Sequence, residues 1–121
     1  MGRTVLIVDD SASMRQMITF TLKDAGYDVI AANNGKDALS KIEECKVEMV
    51  ITDLNMPEMD GIEFILQMKS KARYKFLPIL MLTTESQDSK KQAGKQAGAS
   101  GWLVKPFQPE QLIDLVKRYL K

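Results

Sequence analysis

The chain has no histidine. That excludes a histidine general base, a histidine nucleophile and a histidine metal ligand, so any metal site must be built from oxygen. It has one cysteine, Cys45, which cannot close an internal disulfide. The fold therefore does not depend on an oxidising compartment. Cys45 reads as a helix residue of no special role. Neither sign of charge prevails. With 17 Lys+Arg against 16 Asp+Glu the formal net charge is +1, too little for a general attraction to nucleic acid or acidic membranes. No apolar run approaches the roughly 20 residues that span a bilayer. The run from Thr4 to Val8 is short and closed by Asp9-Asp10, so it is no secretion signal. The expected location is the cytoplasm.

What is present is an alternation. The 121 residues, 45% hydrophobic and 27% charged, suit one soluble domain over 1–121 with a real core. T-V-L-I-V from Thr4 is a continuous aliphatic run, as a strand buried on both faces requires. Met14, Met17, Ile18 and Leu22 follow at helical spacing, with Gly26 as a stop. Y-D-V-I-A is a second strand. Asn34-Gly35 opens a helix with Ala38, Leu39 and Ile42 on its apolar side. M-V-I-T is a third strand, and Gly61 precedes a helix with Ile62, Ile65 and Met68. Pro78 opens I-L-M-L, a polar helix runs through Ala97, W-L-V is a fifth strand, and Leu112, Leu115, Val116 and Tyr119 mark a last helix. Five strand–helix units without a linker predict an α/β fold: a doubly wound parallel sheet with helices on both faces. The flavodoxin-like order 2-1-3-4-5 is the expected arrangement. No output domain is expected beyond the last helix.

In such sheets, ligands bind beyond the carboxyl ends of the strands, where the strand order reverses. The first strand ends in Asp9-Asp10, the third in Asp53, the fourth in Thr83-Thr84 and the fifth in Lys105. Each feature alone has a bland explanation. An aspartate after a strand often caps the next helix, and a lysine before proline is usually a solvated loop residue. Four strand ends with complementary chemistry are harder to obtain by capping. Three close carboxylates repel unless a cation joins them. Mg²⁺ fits, because it takes one or two carboxylates and keeps waters. Asp10 and Asp53 are the expected direct ligands, with Asp9 acting through water or by orientation and the Asn55 carbonyl as a further ligand. Asp53, ionised at neutral pH, can act as a nucleophile without a base. Phosphoryl transfer needs mainly positioning and charge neutralisation, which Mg²⁺, Lys105 and the Thr83 hydroxyl can supply. A flavin-phosphate binder is disfavoured because two aspartates stand where an anion cradle belongs. A small-substrate phosphohydrolase is disfavoured because no cap insertion is visible.

D-D at the first strand end, T-D-L-N-M-P-E-M-D-G around Asp53, L-T-T-E after the fourth strand and G-A-S-G-W-L-V-K-P-F together resemble the receiver domain of two-component response regulators. The resemblance covers the whole chain, and within the family it is to the single-domain chemotaxis regulators. It implies that Asp53 takes a phosphoryl group from a sensor histidine kinase and that Asp9 and Asp10 hold Mg²⁺. Lys105 would pair with the phosphoryl group, and Thr83 would move toward it as a switch. Asn55 and Glu85 would tune the lifetime of the aspartyl phosphate, with a phosphatase as a further partner. The Lys105–Pro106 bond would be cis, a minority state for X–Pro bonds. The switch aromatic, usually Tyr or Phe, is here Trp102. The expected protein is a monomeric phospho-acceptor and not a turnover enzyme. The alternatives are a phosphorelay intermediate or a phosphate sink of another pathway.

K-Q-A-G occurs twice in tandem before the fifth strand. Helical spacing stacks Lys91 on Lys95, Ala93 on Ala97 and Gly94 on Gly98, an alanine-only apolar side that favours a weakly anchored, switchable helix over a solvated surface helix whose glycines permit close packing on the sheet. With Trp102, Lys117 and Arg118 it forms a basic output surface. The expected ligand is an acidic or amphipathic peptide, by resemblance that of a flagellar motor switch protein.

Overall fold

A computed structural model describes residues 3–84 and 88–120, with the side chains of residues 88–90 left aside. The elements in chain order are β1 (Thr4–Val8), α1 (Ala12–Asp24), β2 (Asp28–Ala32), α2 (Gly35–Glu44), β3 (Met49–Asp53) and α3 (Gly61–Lys69). A 3₁₀ turn (Ala72–Tyr74), β4 (Ile79–Thr83), α4 (Asp88–Ala97), β5 (Gly101–Val104) and α5 (Pro109–Tyr119) follow. All strand pairs are parallel, as the alternation predicted, and their order is the expected β2-β1-β3-β4-β5. β1 and β3 are therefore neighbours, and the strand order reverses between them.

The continuous aliphatic strands are explained by burial on both sides. Leu6, Val8, Val50, Ile79 and Met81 point to one face, where Ala38 and Ile42 of α2 and Phe64, Ile65 and Met68 of α3 cover them. Val5, Ile7, Met49, Ile51, Leu80 and Leu82 point to the other, beneath Ile18 and Leu22 of α1 and Leu112 and Val116 of α5.

The helix caps decide how the strand-end aspartates are used. The Ser11 side chain caps α1 by accepting from the Met14 N–H, Asn34 caps α2, and Asp60 caps α3. None of Asp9, Asp10 and Asp53 is an N-cap, so that explanation of the carboxylates is removed. Each of the three caps is worth about 1 kcal/mol. Two smaller expectations need correction. Cys45 is the exposed residue just past α2 rather than a helical one. Gly98 does not stack on Gly94 within a helix. It follows the end of α4 at φ 121°, a left-handed stop that glycine adopts without strain.

Candidate functional site

The carboxyl ends of β1 and β3 bring Asp9, Asp10 and Asp53 together. One carboxylate oxygen from each lies within 4.8 Å of the others. Asp9 is 1% exposed and Asp53 7%, while Asp10 is open to solvent. Lys105 follows β5, and its Nζ stands 3.2 Å from Asp9 Oδ2 and 3.2 Å from Asp53 Oδ1. The Lys105 N–H donates to the Thr83 carbonyl at 2.7 Å, which fixes this residue to the end of β4. The Lys105–Pro106 peptide is cis, as expected.

Asp9 is held from three sides. Its Oδ1 accepts from the Ser11 N–H at 2.9 Å, its Oδ2 from Lys105, and its backbone carbonyl from Arg15 Nη1 at 2.7 Å. Arg15 is a residue that sequence reasoning missed. Its partner is a backbone carbonyl, which carries no residue signature. For Asp53, burial pushes the carboxyl pKa up from its ordinary value. Lys105 opposes this, and the charges of Asp9 and then Asp10 add to it.

Gly61 explains how the chain returns to the site. A Cβ at this position would lie 2.4 Å from the Asp53 carbonyl oxygen and 2.9 Å from the Leu54 Cα. The Gly61 N–H donates to the Leu54 carbonyl at 2.8 Å. The start of α3 therefore lies directly on the backbone that carries Asp53, and any side chain would push it away. Within the intervening loop, Glu58 takes φ 71°, an uncommon left-handed conformation for a residue with a Cβ.

Thr83 is fully buried at the end of β4, beside the Asp53 strand end, where Asp53 pairs in register with Leu82. Asn55 is exposed in the loop after β3. Glu85 lies outside the described residues. Trp102 pairs in register with Met81 on the edge strand β5 and packs into the α2–α3 side of the core. Its Nε1 is shielded from solvent and has no hydrogen-bond partner among the described residues. Gly94 makes room for the indole, because a Cβ there would lie 3.3 Å from the Trp102 ring and 2.4 Å from Met81 Cε. Lys91, Lys95, Ala99, Ser100, Gly101 and Trp102 line an open groove of about 290 Å³. Lys117 and Arg118 are exposed on α5 outside that lining. The last turn of α5 reaches the groove through Tyr119, whose hydroxyl donates to the Ser100 carbonyl at 2.7 Å.

Residues 5–117 match the response regulator receiver domain. The chain belongs to this family. It is 40% identical over 110 residues to the chemotaxis protein CheY1 of Helicobacter pylori, covering 89% of both chains. It is 36% identical over 121 residues to PhoP of Bacillus subtilis, an alkaline phosphatase synthesis transcriptional regulatory protein, of which it spans 50%. The chain thus has nearly the length of the chemotaxis relative and about half that of the transcriptional one. Among solved structures, chemotaxis response regulator CheY4 of Vibrio cholerae superposes with a TM-score of 0.94 at 50% identity, over 98% of this chain and 99% of that one. Receiver domains are phospho-acceptors that interact with histidine kinases and output partners and bind Mg²⁺ at an acidic pocket. The donor set fits that ion. Three hard carboxylate oxygens cluster with one edge open to water, and no soft ligand is among them. Among the described residues no helix is long and apolar enough to cross a membrane.

Proposed function

We propose that Asp53 is the phosphorylation site of a response regulator whose output surface is built from α4, β5 and α5. The observation that carries this is the Lys105 ammonium, 3.2 Å from both Asp9 and Asp53. It holds a nucleophilic carboxylate next to a positive charge placed to meet phosphoryl oxygens. An Asp53 carboxylate oxygen attacks the phosphorus of a phosphohistidine. The new bond is O–P, the N–P bond breaks, and the imidazole nitrogen of the donor keeps the electron pair. Asp9, Asp10, Asp53 and the Asn55 carbonyl would hold Mg²⁺, which supplies charge neutralisation on the transferred oxygens. Lys105 stays with the phosphoryl group, and its release of Asp9 and of the ionised Asp53 accompanies the transfer. The Thr83 hydroxyl donates to a phosphoryl oxygen, and this movement is passed to Trp102 on the neighbouring strand. Water later attacks the phosphorus and returns Asp53 and inorganic phosphate. Asn55 and Glu85 set the rate of that step.

The groove lined by Lys91, Lys95 and Trp102 supports an acidic or amphipathic peptide as the output ligand, and Lys117 on α5 is a further exposed cation assigned to that surface. By likeness to the chemotaxis relatives, that ligand belongs to a flagellar motor switch protein. Chemistry alone is shared with phosphorelay intermediates and phosphate sinks.

A small phosphodonor with Mg²⁺ tests the reading. A hydroxylamine-labile adduct should form and vanish in Asp53→Asn. Sustained turnover of the donor without an adduct would point to a hydrolase instead. Beryllium fluoride should increase affinity for a motor switch peptide, and Lys91→Glu with Lys95→Glu should abolish the increase. Unchanged affinity would remove the output assignment and leave the phospho-acceptor assignment standing.

A further inference from the structure

At the amino end of β4, opposite the aspartate cluster, the chain reads K-S-K-A-R-Y-K-F over residues 69–76. No aspartate or glutamate occurs in residues 64–84. Phe76 is 88% exposed. Isolated exposed apolar residues need no explanation, but this one is set among cations on a fixed loop. The Lys75 Nζ lies 5.7 Å from the Phe76 ring centroid, and the Arg73 guanidinium carbon lies 5.1 Å from that of Tyr74.

The loop is held from beneath. Lys69 turns inward, and its Nζ donates to the carbonyls of Tyr74, Lys75 and Leu77 at 3.3, 3.0 and 2.6 Å. Its aliphatic stem lies against Gly98 at the end of α4, where a Cβ would meet Lys69 Cγ at 2.8 Å. The Tyr74 hydroxyl donates to the Ile42 carbonyl at 3.3 Å. These contacts tie the loop to α2, α3 and the end of α4, so the Phe76 backbone is set before any partner arrives. Binding then loses less conformational freedom than it would from a mobile loop.

We infer that residues 71–76 form a second docking surface, for a partner protein that offers an apolar socket rimmed by carboxylates. Phe76 is the anchor, since buried aromatics carry a large share of interface energy. Lys71, Arg73 and Lys75 are the rim. Glu43 pairs with Lys71 at 2.7 Å and Arg73 at 3.3 Å, so three outward cations face one carboxylate. The surplus attracts an acidic surface and speeds encounter. It falls short of the roughly four to eight clustered cations typical of segments that bind anionic lipid. The surface lies at the far end of the sheet from Asp53, so docking neither covers the phospho-acceptor nor needs its phosphorylation. It would hold the regulator near its partner in both signalling states.

The test selects short random peptides, displayed on phage, against the full chain and in parallel against Phe76→Ser/Lys75→Glu. Peptides enriched on the native chain should combine acidic with aliphatic residues. Their affinity should fall about tenfold or more in the double variant and stay unchanged with beryllium fluoride. Lys69→Met should also weaken them while speeding amide exchange in the loop, with far-UV circular dichroism retained. Four results would overturn the inference. These are no enrichment, equal enrichment on the double variant, Phe76-dependent binding to phosphatidylglycerol vesicles but not to peptides, or Phe76-dependent self-association in sedimentation.

Discussion

Asp53 carries its charge beside those of Asp9 and Asp10, with Lys105 the cation in direct contact. Its folded-state pKa is raised, chiefly by burial, so the folded protein holds a proton there more tightly than the unfolded chain does. The Asp53 contribution to stability is therefore present below the unfolded pKa and is lost as pH rises through the folded one. At neutral pH without metal, the ionised group is a net liability. Asp53→Asn should then raise the thermal midpoint in EDTA at neutral pH, and the gain should shrink in acid. Lys105 keeps Asp9 as a partner in that variant. A lower midpoint at neutral pH would show that the Lys105 pair outweighs burial and repulsion. Arg15 acts on the same site at one remove, through the Asp9 carbonyl. Groups that orient ligands typically affect metal affinity by tenfold or more. Arg15→Gln should weaken Mg²⁺ by about tenfold or more in calorimetric titration, with Arg15→Lys partly restoring it. Equal Mg²⁺ affinity in all three proteins would reduce Arg15 to packing.

Among the elements, α4 separates what was legible in the sequence from what was not. Its existence, its polar character and its position before β5 could be read from the K-Q-A-G repeat. The meaning of the two glycines could not, because it depends on contacts across the sheet. Gly98 is a helix stop at φ 121°, and Gly94 is the floor on which Met81 and Trp102 rest. The latter matches close packing on the sheet better than a loosely anchored helix. Opposing magnitudes make this testable. Gly94→Ala gains about 1 kcal/mol of helix propensity. The added Cβ would sit 2.4 Å from Met81 Cε, and overpacking of that kind typically costs about 1–3 kcal/mol. The net effect should be a loss of stability, accompanied by a shift in the emission of Trp102, the one tryptophan. A more stable variant with unchanged emission would mean that α4 moves aside freely.

Taken as a whole, the molecule joins residues far apart in sequence at one sheet edge. Asp9, Asp53, Thr83 and Lys105 were legible because each ends a strand, and a parallel sheet puts strand ends together. Arg15 and the Lys69 tether were not, since both act through backbone carbonyls that carry no residue signature. The clustering predicts how metal and acid act on the entire fold. Mg²⁺ that binds only the folded state stabilises it by about 2.7 kcal/mol at 100 times Kd. For a domain of this size, that corresponds to a rise of roughly 10 °C in midpoint. Protons compete for the same carboxylates. Because the Asp53 pKa is raised, the Mg²⁺-induced rise should begin to shrink at a higher pH than an ordinary aspartate would dictate, and should be lost as acid protonates Asp53. Asp53→Asn should show a smaller rise with a weaker pH dependence. Scanning calorimetry across an acid series, with and without Mg²⁺, measures both. If the rise were as large and as pH-dependent in Asp53→Asn, the ion would be held by Asp9 and Asp10 alone, and Asp53 would meet the phosphoryl group without touching the metal.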